Sequence, residues 1–459
     1  MRIKKRVKKR THLIAPKHIQ YICNQLVLYR FIFLTGSGGV GKSYTVNWII
    51  KHFKNVVALA PTHSATEHIK GQTYQSVFKF ETTKTVKDVR RLDKFNITRL
   101  MKKYKCSTSQ AEQYYWGEQR DLILEADLIV IDEISLLNSV KLNMIFERLK
   151  KWLGDKPFPP ILLVGDLYQI PPVDPESDSI RYIFQSKHWN FKIIELGTIK
   201  RTSDKDFIEI LQMFRKGRRT RRLIEWAENH KYIEANRLKH ATDLCARKDT
   251  VKQICFSNIE KLDSNKKVYK AKAIRLESYV SDSMRNDYIN KEFSGELTLT
   301  LKIGASVMFC ANVKGQYYNG EMGIIRSMDT NEIIVEKFDM QGKSKGKVLV
   351  TRFLFTKKDY KSKTPKPIIE INQFPLILSY AVTMHKIQGA TLTNPLVIHC
   401  DDIWNNAEGL LYTAISRATS PDNVFLKGFT KSMVYPRNIL NKFFQEQMDM
   451  GNIEVITDY

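Results

Sequence analysis

Between the apolar run "FIFLT" and the helical run "KSYTVNWIIKHF", the chain reads Gly36-Ser37-Gly38-Gly39-Val40-Gly41-Lys42-Ser43. Glycines at this spacing let successive backbone N–H groups turn inward on an anion, and the helix that follows adds its positive N-terminal end. Lys42 supplies a point charge for the outer phosphates of a nucleotide, and the Ser43 hydroxyl a ligand for Mg²⁺. A phosphate cradle hydrolyses nothing by itself, so an acid and a water-orienting group have to be brought to it. "LIVIDE" delivers Asp132 and Glu133 at the carboxyl end of a buried strand, where the ligands of parallel sheets sit. Asp132 is then placed to hold the metal through water, and Glu133 to polarise an attacking water. A third strand, "ILLV", runs into "GDLYQIPPV". There Gln169 can both donate and accept, which suits a sensor of the γ-phosphate or the lytic water, while Pro171 and Pro172 stiffen the turn.

Elements must position these groups, and the sequence indicates them. "FIFLT", "VVALA", "LIVI" and "ILLV" are short and apolar throughout, as parallel strands covered on both faces are. Val140, Met144, Ile145, Leu149 and Trp152 recur at helical spacing and predict an amphipathic helix that returns the chain to the sheet. Together these make an α/β nucleotide-binding half. Residues 81–119 interrupt it with charged and aromatic residues, including "QYYW", and read as a small insertion, either projecting or packed. A second α/β pattern follows Arg201, with "QICFSN" and "PLVIHC" as candidate strands. It is split by "ASVMFCANVKGQYYNGEMGIIRSM", whose Asn319-Gly320 turn between strand-like runs predicts a small β-barrel or hairpin module, and "KKDYKSKTPKP" reads as an exposed loop at its far edge. Just after Arg201, Ser203 and Asp206 read as a capping box, Phe207, Ile210, Leu211 and Phe214 as a helical stripe, and Gly217 as the stop.

Composition bounds the possibilities. A chain of 459 residues, 43% of them apolar, can bury a sizeable core and predicts two or more domains. Its formal net charge of +26 draws polyanions, with nucleic acid the leading partner and acidic proteins or membrane surfaces the alternatives. The six cysteines are scattered with no C-x-x-C pair, which argues against a zinc cluster or a disulfide framework and suits a reducing intracellular compartment. The opening "MRIKKRVKKR" is followed by no apolar stretch or cleavage site, so it reads as a nuclear address, a phosphate-binding arm or a solubilising tail. No uninterrupted apolar run reaches about 18 residues, so no transmembrane helix is expected.

The motifs "GSGGVGKS", "APTHSAT", "IDEIS", "GDLYQIPPV", "KRTSDKDF", "VTMHKIQGATL" and "YTAISRA" stand in the order of the superfamily-one DNA helicases. From about Pro16 to about Lys427 the chain resembles the 1B, RecD/Dda-type branch, most closely the petite-integration-frequency group, a resemblance reinforced by "LKIGASVMFCANV", "YYNG" and "QFPL". It implies two RecA-like P-loop NTPase domains: a basic arm at 1–15, motor domain 1 at 16–200 with its insertion at about 81–119, and motor domain 2 at 201–459 with an SH3-like β insertion at about 298–375. The implied activity is ATP- and Mg²⁺-dependent unwinding of duplex DNA by a single-strand translocase moving 5′ to 3′, in replication, recombination or repair. The implied partners are single-stranded and forked DNA, with replication proteins as further candidates. The expected protein is a monomer acting in the nucleus or cytoplasm, or at a viral or mobile-element replication site. An RNA helicase or a protein-displacing translocase on the same engine is the alternative reading, and a binding protein with a decayed ATPase the third.

The resemblance also carries residue roles. Arg201 is assigned to the γ-phosphate. Arg417 is assigned as an arginine finger; on a helix through "LLYTAISRA" it shares a face with Leu410 and Ala414, so its charge needs either an anion or an escape to solvent. Gln388 and Gly389 would face the nucleotide, and Thr383, His385 and Lys386 would grip strand phosphates, matched by Thr62 and His63 in the first domain. The glutamine before the first strand is Gln20 by spacing, with Gln25 the other choice. The chain departs from the family in "THSAT", where a Gly-Ile-Ala type sequence is usual, and at Ile387, where a small serine is usual.

Overall fold

The apolar runs become strands: β1 (Phe31–Thr35), β2 (Val56–Ala60), β3 (Gln72–Thr73), β4 (Leu128–Ile131), β5 (Ile161–Val164) and β6 (Lys192–Leu196). They lie in the order β6-β1-β5-β4-β2-β3, every neighbour parallel. Phe33 is level with Leu163 on one side and Ile193 on the other. All four residues of β4 and of β5 are buried, which explains why these runs show no polar alternation. Helices α1 (Lys17–Tyr29), α2 (Lys42–His52) and Ser139–Leu153 present apolar stripes, among them Ile19, Ile22 and Leu26, and Met144, Ile145 and Leu149. The computed structural model describes residues 15–62, 65–66, 69–80, 85–172, 182–233, 241–275, 278–291, 293–318, 321–338, 344–359, 366–389, 391–392, 395–404, 407–457 and 459.

The chain divides into two units, but not at the expected places. The first takes the chain up to Ser203 together with Arg437–Tyr459; the second is Asp204–Pro436. The expected motor domain 2, 201–459, is therefore corrected at both ends. Strand Ile453–Ile456 adds to the first sheet, parallel to β6 with Ile453 level with Ile193, because β6 otherwise offers an unpaired edge. At the other end, the Lys200 N–H donates to the Gly39 carbonyl at 2.8 Å, which ties the segment carrying Arg201 to the first unit.

The insertion in the first unit is a helical hairpin, Val86–Tyr104 and Thr108–Leu124, reaching past the expected Gln119. Both helices start at capping boxes, Thr85 with Asp88 and Ser107 with Gln110. The hairpin is seated on helix Ser139–Leu153 by a buried fork in which Arg148 Nη1 and Nη2 donate to Asp93 at 2.7 and 2.9 Å. The same guanidinium lies over Trp116 and Trp152, at 5.2 and 5.5 Å. The base of this insertion is thus packed rather than projecting.

In the second unit, Ala381–Thr383, Thr242–Cys245, Leu396–His399 and Val424–Lys427 form a parallel sheet in that order. "PLVIHC" supplies one strand as expected, whereas "QICFSN" lies in helix Lys248–Glu260. The local run is apolar enough for a strand, yet Val251, Cys255 and Ile259 are spaced for a helix, and the true strand is the preceding "TDLC". The β insertion is wider than expected. Its largest sheet is antiparallel, ordered Ser344–Thr351, Glu332–Phe338, Met322–Met328, Ser306–Phe309 and Leu376–Leu378. Lys272–Arg275 and Lys267–Lys270 contribute to companion sheets from before residue 298. The Asn319-Gly320 turn lies outside the described residues. Helix Lys205–Lys216 buries Phe207, Ile210, Leu211 and Phe214 and ends at left-handed Gly217 as predicted, but its cap is Asp204 rather than Ser203, the carboxylate accepting from the Phe207 N–H at 2.8 Å.

Candidate nucleotide site

The glycines of the phosphate loop are required for two different reasons. Gly41 opens α2 at φ +86° with open space around it, so backbone conformation alone demands glycine. At Gly39, φ +88°, a β-carbon would come within 2.5 Å of the Arg201 β-carbon, so close approach excludes one as well. The stem of Arg201 is therefore laid against the loop by its own unit, where sequence reasoning had brought it from the second domain. Gly36, Ser37, Gly38 and Val40 are buried, and Ser43 is exposed on the first turn of α2. Lys42 Nζ donates to the carbonyls of Gly36 and Ser37 at 2.8 and 3.1 Å, so the ammonium sits over the mouth of the loop.

The acidic pair comes from the end of β4. Asp132 is 8% exposed, and its Oδ1 accepts from the Glu133 N–H at 2.8 Å. Burial first, and then the Glu133 charge, push its carboxyl above the ordinary carboxylate range, against the opposing pull of that N–H and of Lys42. Glu133 itself takes a left-handed backbone, φ +50° and ψ +45°, a conformation that costs a non-glycine residue roughly 1 kcal/mol or more and concentrates at working sites. Gln169 is 4% exposed, and its Oε1 is buried with no hydrogen-bond partner among the described residues. An orphaned carbonyl of this kind calls for a water or a ligand. The residues present thus fit Mg²⁺ and a triphosphate: an exposed hydroxyl, a buried carboxylate, an ammonium at the loop mouth and an unsatisfied amide.

Gln20 is exposed on α1, and its amide donates to the Ala15 carbonyl. The buried polar residue of α1 is His18, 7% exposed, with Nε2 3.4 Å from the Thr45 hydroxyl of α2 and its ring 4.8 Å from that of Tyr459. Burial and then Lys200 lower its pKa. Sequence reasoning missed His18 because a lone histidine on an apolar stripe gives no signal. It missed Asp166 too, 1% exposed and accepting from the Tyr168 N–H at 3.2 Å, although the residue lies inside the quoted "GDLYQ". Thr62 is exposed and accepts from the Ala65 N–H at 3.3 Å, and His63 lies outside the described residues.

In the second unit, helix Leu410–Ile415 stops before Arg417, which is 2% exposed. Escape to solvent is ruled out. Its Nε donates to the Thr413 carbonyl and its Nη2 to the Ser416 hydroxyl, both at 3.0 Å. Thr383 ends a strand and accepts from the Lys386 N–H at 3.3 Å, which fixes a tight turn with His385 and Lys386 exposed upon it. Ile387 is 6% exposed, so the departure from a small serine fills core rather than facing solvent. Gln388 is half-buried, and Gly389 has φ +84°.

The AAA domain family matches residues 21–237. The ATP-dependent DNA helicase Pif1 of Campylobacter jejuni is 29% identical over 87% of this chain and 89% of its own length, and that of Bdellovibrio bacteriovorus 27% over 90% and 88%. The human ATP-dependent DNA helicase PIF1 is 28% identical over 85% of this chain and 57% of its own length. Among solved structures, the Pif1 helicase from Candida albicans superposes with a TM-score of 0.77 at 23% identity, covering 95% of this chain and 99% of the other. The Bacteroides sp Pif1 in complex with ADP-AlF4 superposes with a TM-score of 0.69 at 25% identity, covering 96% and 98%. The fold is the RecA-like P-loop fold of those helicases.

Proposed function

From the homology of this chain to the Pif1 helicases over most of its length, we infer that it is an ATP-dependent DNA helicase, a translocase that runs on one strand and separates duplex DNA. What supports the reading is a phosphate loop with the Lys42 ammonium at its mouth, the Asp132–Glu133 pair within electrostatic reach of that ammonium and the Arg201 stem against Gly39, all in one unit. Lys42 exchanges its loop carbonyls for the β- and γ-phosphate oxygens. Ser43 and Asp132 would hold Mg²⁺, which neutralises phosphate charge. Glu133 takes the proton of the attacking water, Gln169 orients that water through its unsatisfied carbonyl, and Arg201 meets the γ-phosphate. Arg417 is assigned to charge developing in the transition state, a role supported by its burial and its motif. Thr62, Thr383, His385 and Lys386 are the strand-contact residues of this reading, with His63 as a sequence-based addition.

Hydrolysis supplies direction more than force. Opening one base-pair step costs about 1.4 kcal/mol, so fraying at a fork is frequent and a stepping motor can trap it. Movement from 5′ to 3′ on single-stranded and forked DNA, in a cellular or viral replication compartment, rests on the family resemblance. Hydrolysis assayed with single-stranded DNA or RNA, followed by unwinding of substrates tailed on the 5′ or the 3′ side, tests the reading. Stimulation by DNA and unwinding from a 5′ tail are expected. Stimulation by RNA alone, or by neither polymer, would overturn it.

A further inference from the structure

Arg437–Tyr459 returns to the first unit and touches both loops of the nucleotide site, although it belongs to no helicase motif. At its far end the Tyr459 hydroxyl lies 2.8 Å from the Val40 carbonyl and 2.9 Å from the Thr198 carbonyl, and its single proton serves one at a time. Lys200 lies 4.6 Å over the Tyr459 ring and donates to the Tyr459 carbonyl, and His18 packs on the same ring. At its near end Arg437, 3% exposed, donates to the carbonyls of Tyr168 and Leu167 at 3.2 and 3.4 Å. Asn441 accepts from the Tyr168 hydroxyl at 2.9 Å, and Phe444 stacks on the Tyr168 ring.

A trans peptide points its C=O and N–H in opposite directions. A donor held on the Val40 carbonyl therefore fixes the Val40–Gly41 peptide and turns the Gly41 N–H to the other side, where α2 opens. Arg437 fixes the Tyr168–Gln169 peptide in the same way, and with it the backbone from which the orphaned Gln169 amide is presented. The strand Ile453–Ile456, paired to β6, sets the span between the two anchors.

We propose that Arg437–Tyr459 is a strap that positions the two nucleotide loops, with Tyr459 setting the phosphate-binding loop and Arg437 with Asn441 setting the Gln169 loop. Both act through other residues. The two ends consequently affect different parameters: the Tyr459 end ground-state binding of ATP, the Asn441 end the chemical step. Burial pushes the Tyr459 phenol up to about 12, so it remains a donor throughout the neutral range.

The proposal rests on the nucleotide-binding reading, and the experiment separates the two. Binding of a fluorescent ATP analogue is measured on the full chain alongside saturating, DNA-stimulated hydrolysis and the urea midpoint, for wild type, Lys42→Ala, Tyr459→Phe, Tyr168→Phe and Asn441→Ala. Tyr459→Phe is expected to weaken binding by about two- to tenfold with kcat unchanged, the urea midpoint falling by no more than the loss of one intramolecular hydrogen bond accounts for. Tyr168→Phe and Asn441→Ala are expected to lower kcat with binding unchanged. Wild-type binding by Tyr459→Phe, or a parallel loss of binding, kcat and stability in all three strap variants, overturns the strap while leaving the nucleotide site intact if Lys42→Ala still loses binding. No binding by wild type overturns both.

Discussion

In the proposed site, Lys42, Asp132 and Glu133 are each assigned a distinct demand of phosphate chemistry, and substitutions should separate them. Lys42→Ala is expected to abolish hydrolysis, because no other ammonium is held on the loop carbonyls of Gly36 and Ser37 among the described contacts. Glu133→Gln keeps the shape of the side chain and the left-handed backbone but removes the base, so ATP should still bind while turnover falls about 10²- to 10⁴-fold. Arg417→Ala is expected to spare ATP binding and to slow turnover by up to about 10³- to 10⁵-fold, and steady-state hydrolysis at saturating ATP would remove the finger assignment if it stayed at the wild-type rate. His18 makes a pH prediction. Burial, and then Lys200, lower its folded pKa below the ordinary histidine value of about 6.5, so the neutral ring contributes stability that is present above that value and lost as pH falls through the folded one. Urea unfolding from about pH 7.5 down to about pH 5 should show a shallower loss of stability in His18→Gln than in wild type.

The helical hairpin joins local and long-range design. Its two capping boxes are written in the residues "TVKD" and "STSQ", whereas its attachment depends on Arg148, which comes from the helix after β4. Breaking that buried pair strands a charge, so Asp93→Ala should cost about 3–5 kcal/mol in urea unfolding. The double change Asp93→Leu with Arg148→Met should recover most of the loss, because the penalty lies in the unpaired guanidinium rather than in the absence of the pair. The outer side of the hairpin is different in character. Phe95, Tyr104 and Tyr114 are exposed, Arg99 and Lys103 lie over the rings of Phe95 and Tyr104, and Tyr104 is 5.5 Å from Tyr114.

For the chain taken whole, the net charge of +26 sets the strength of any polyanion contact and its response to salt. If phosphates dominate binding, the affinity for single-stranded DNA should fall linearly on logarithmic axes by about 0.7 decades per contacted phosphate for each tenfold rise in salt. A flat titration would deny the charge that role. All six cysteines are free thiols, and no helix among the described residues is long and apolar enough to cross a membrane.

Much of this was legible from contiguous residues. The phosphate loop, the buried strands, the stripe of helix Lys205–Lys216 and the stop at Gly217 each depend on a conformational demand or a periodicity that neighbouring residue types state directly. Where two local signals conflicted, as in "QICFSN", apolar content pointed to a strand and spacing to the helix that forms. The buried position of Arg417 and the placing of Arg201 on Gly39 needed packing to decide them, because a side chain's escape route or resting face is set by partners that the local pattern does not name. The same holds most strongly for Arg437 and Tyr459, which meet Tyr168 and Val40 across 269 and 419 residues of chain. The sequence determined the phosphate loop and the chemistry proposed for it, since loop conformation and reactive groups are local properties. Only the tertiary structure decided which distant segment holds those loops in place, since that contact exists only once the sheet has assembled and left its β6 edge to be paired.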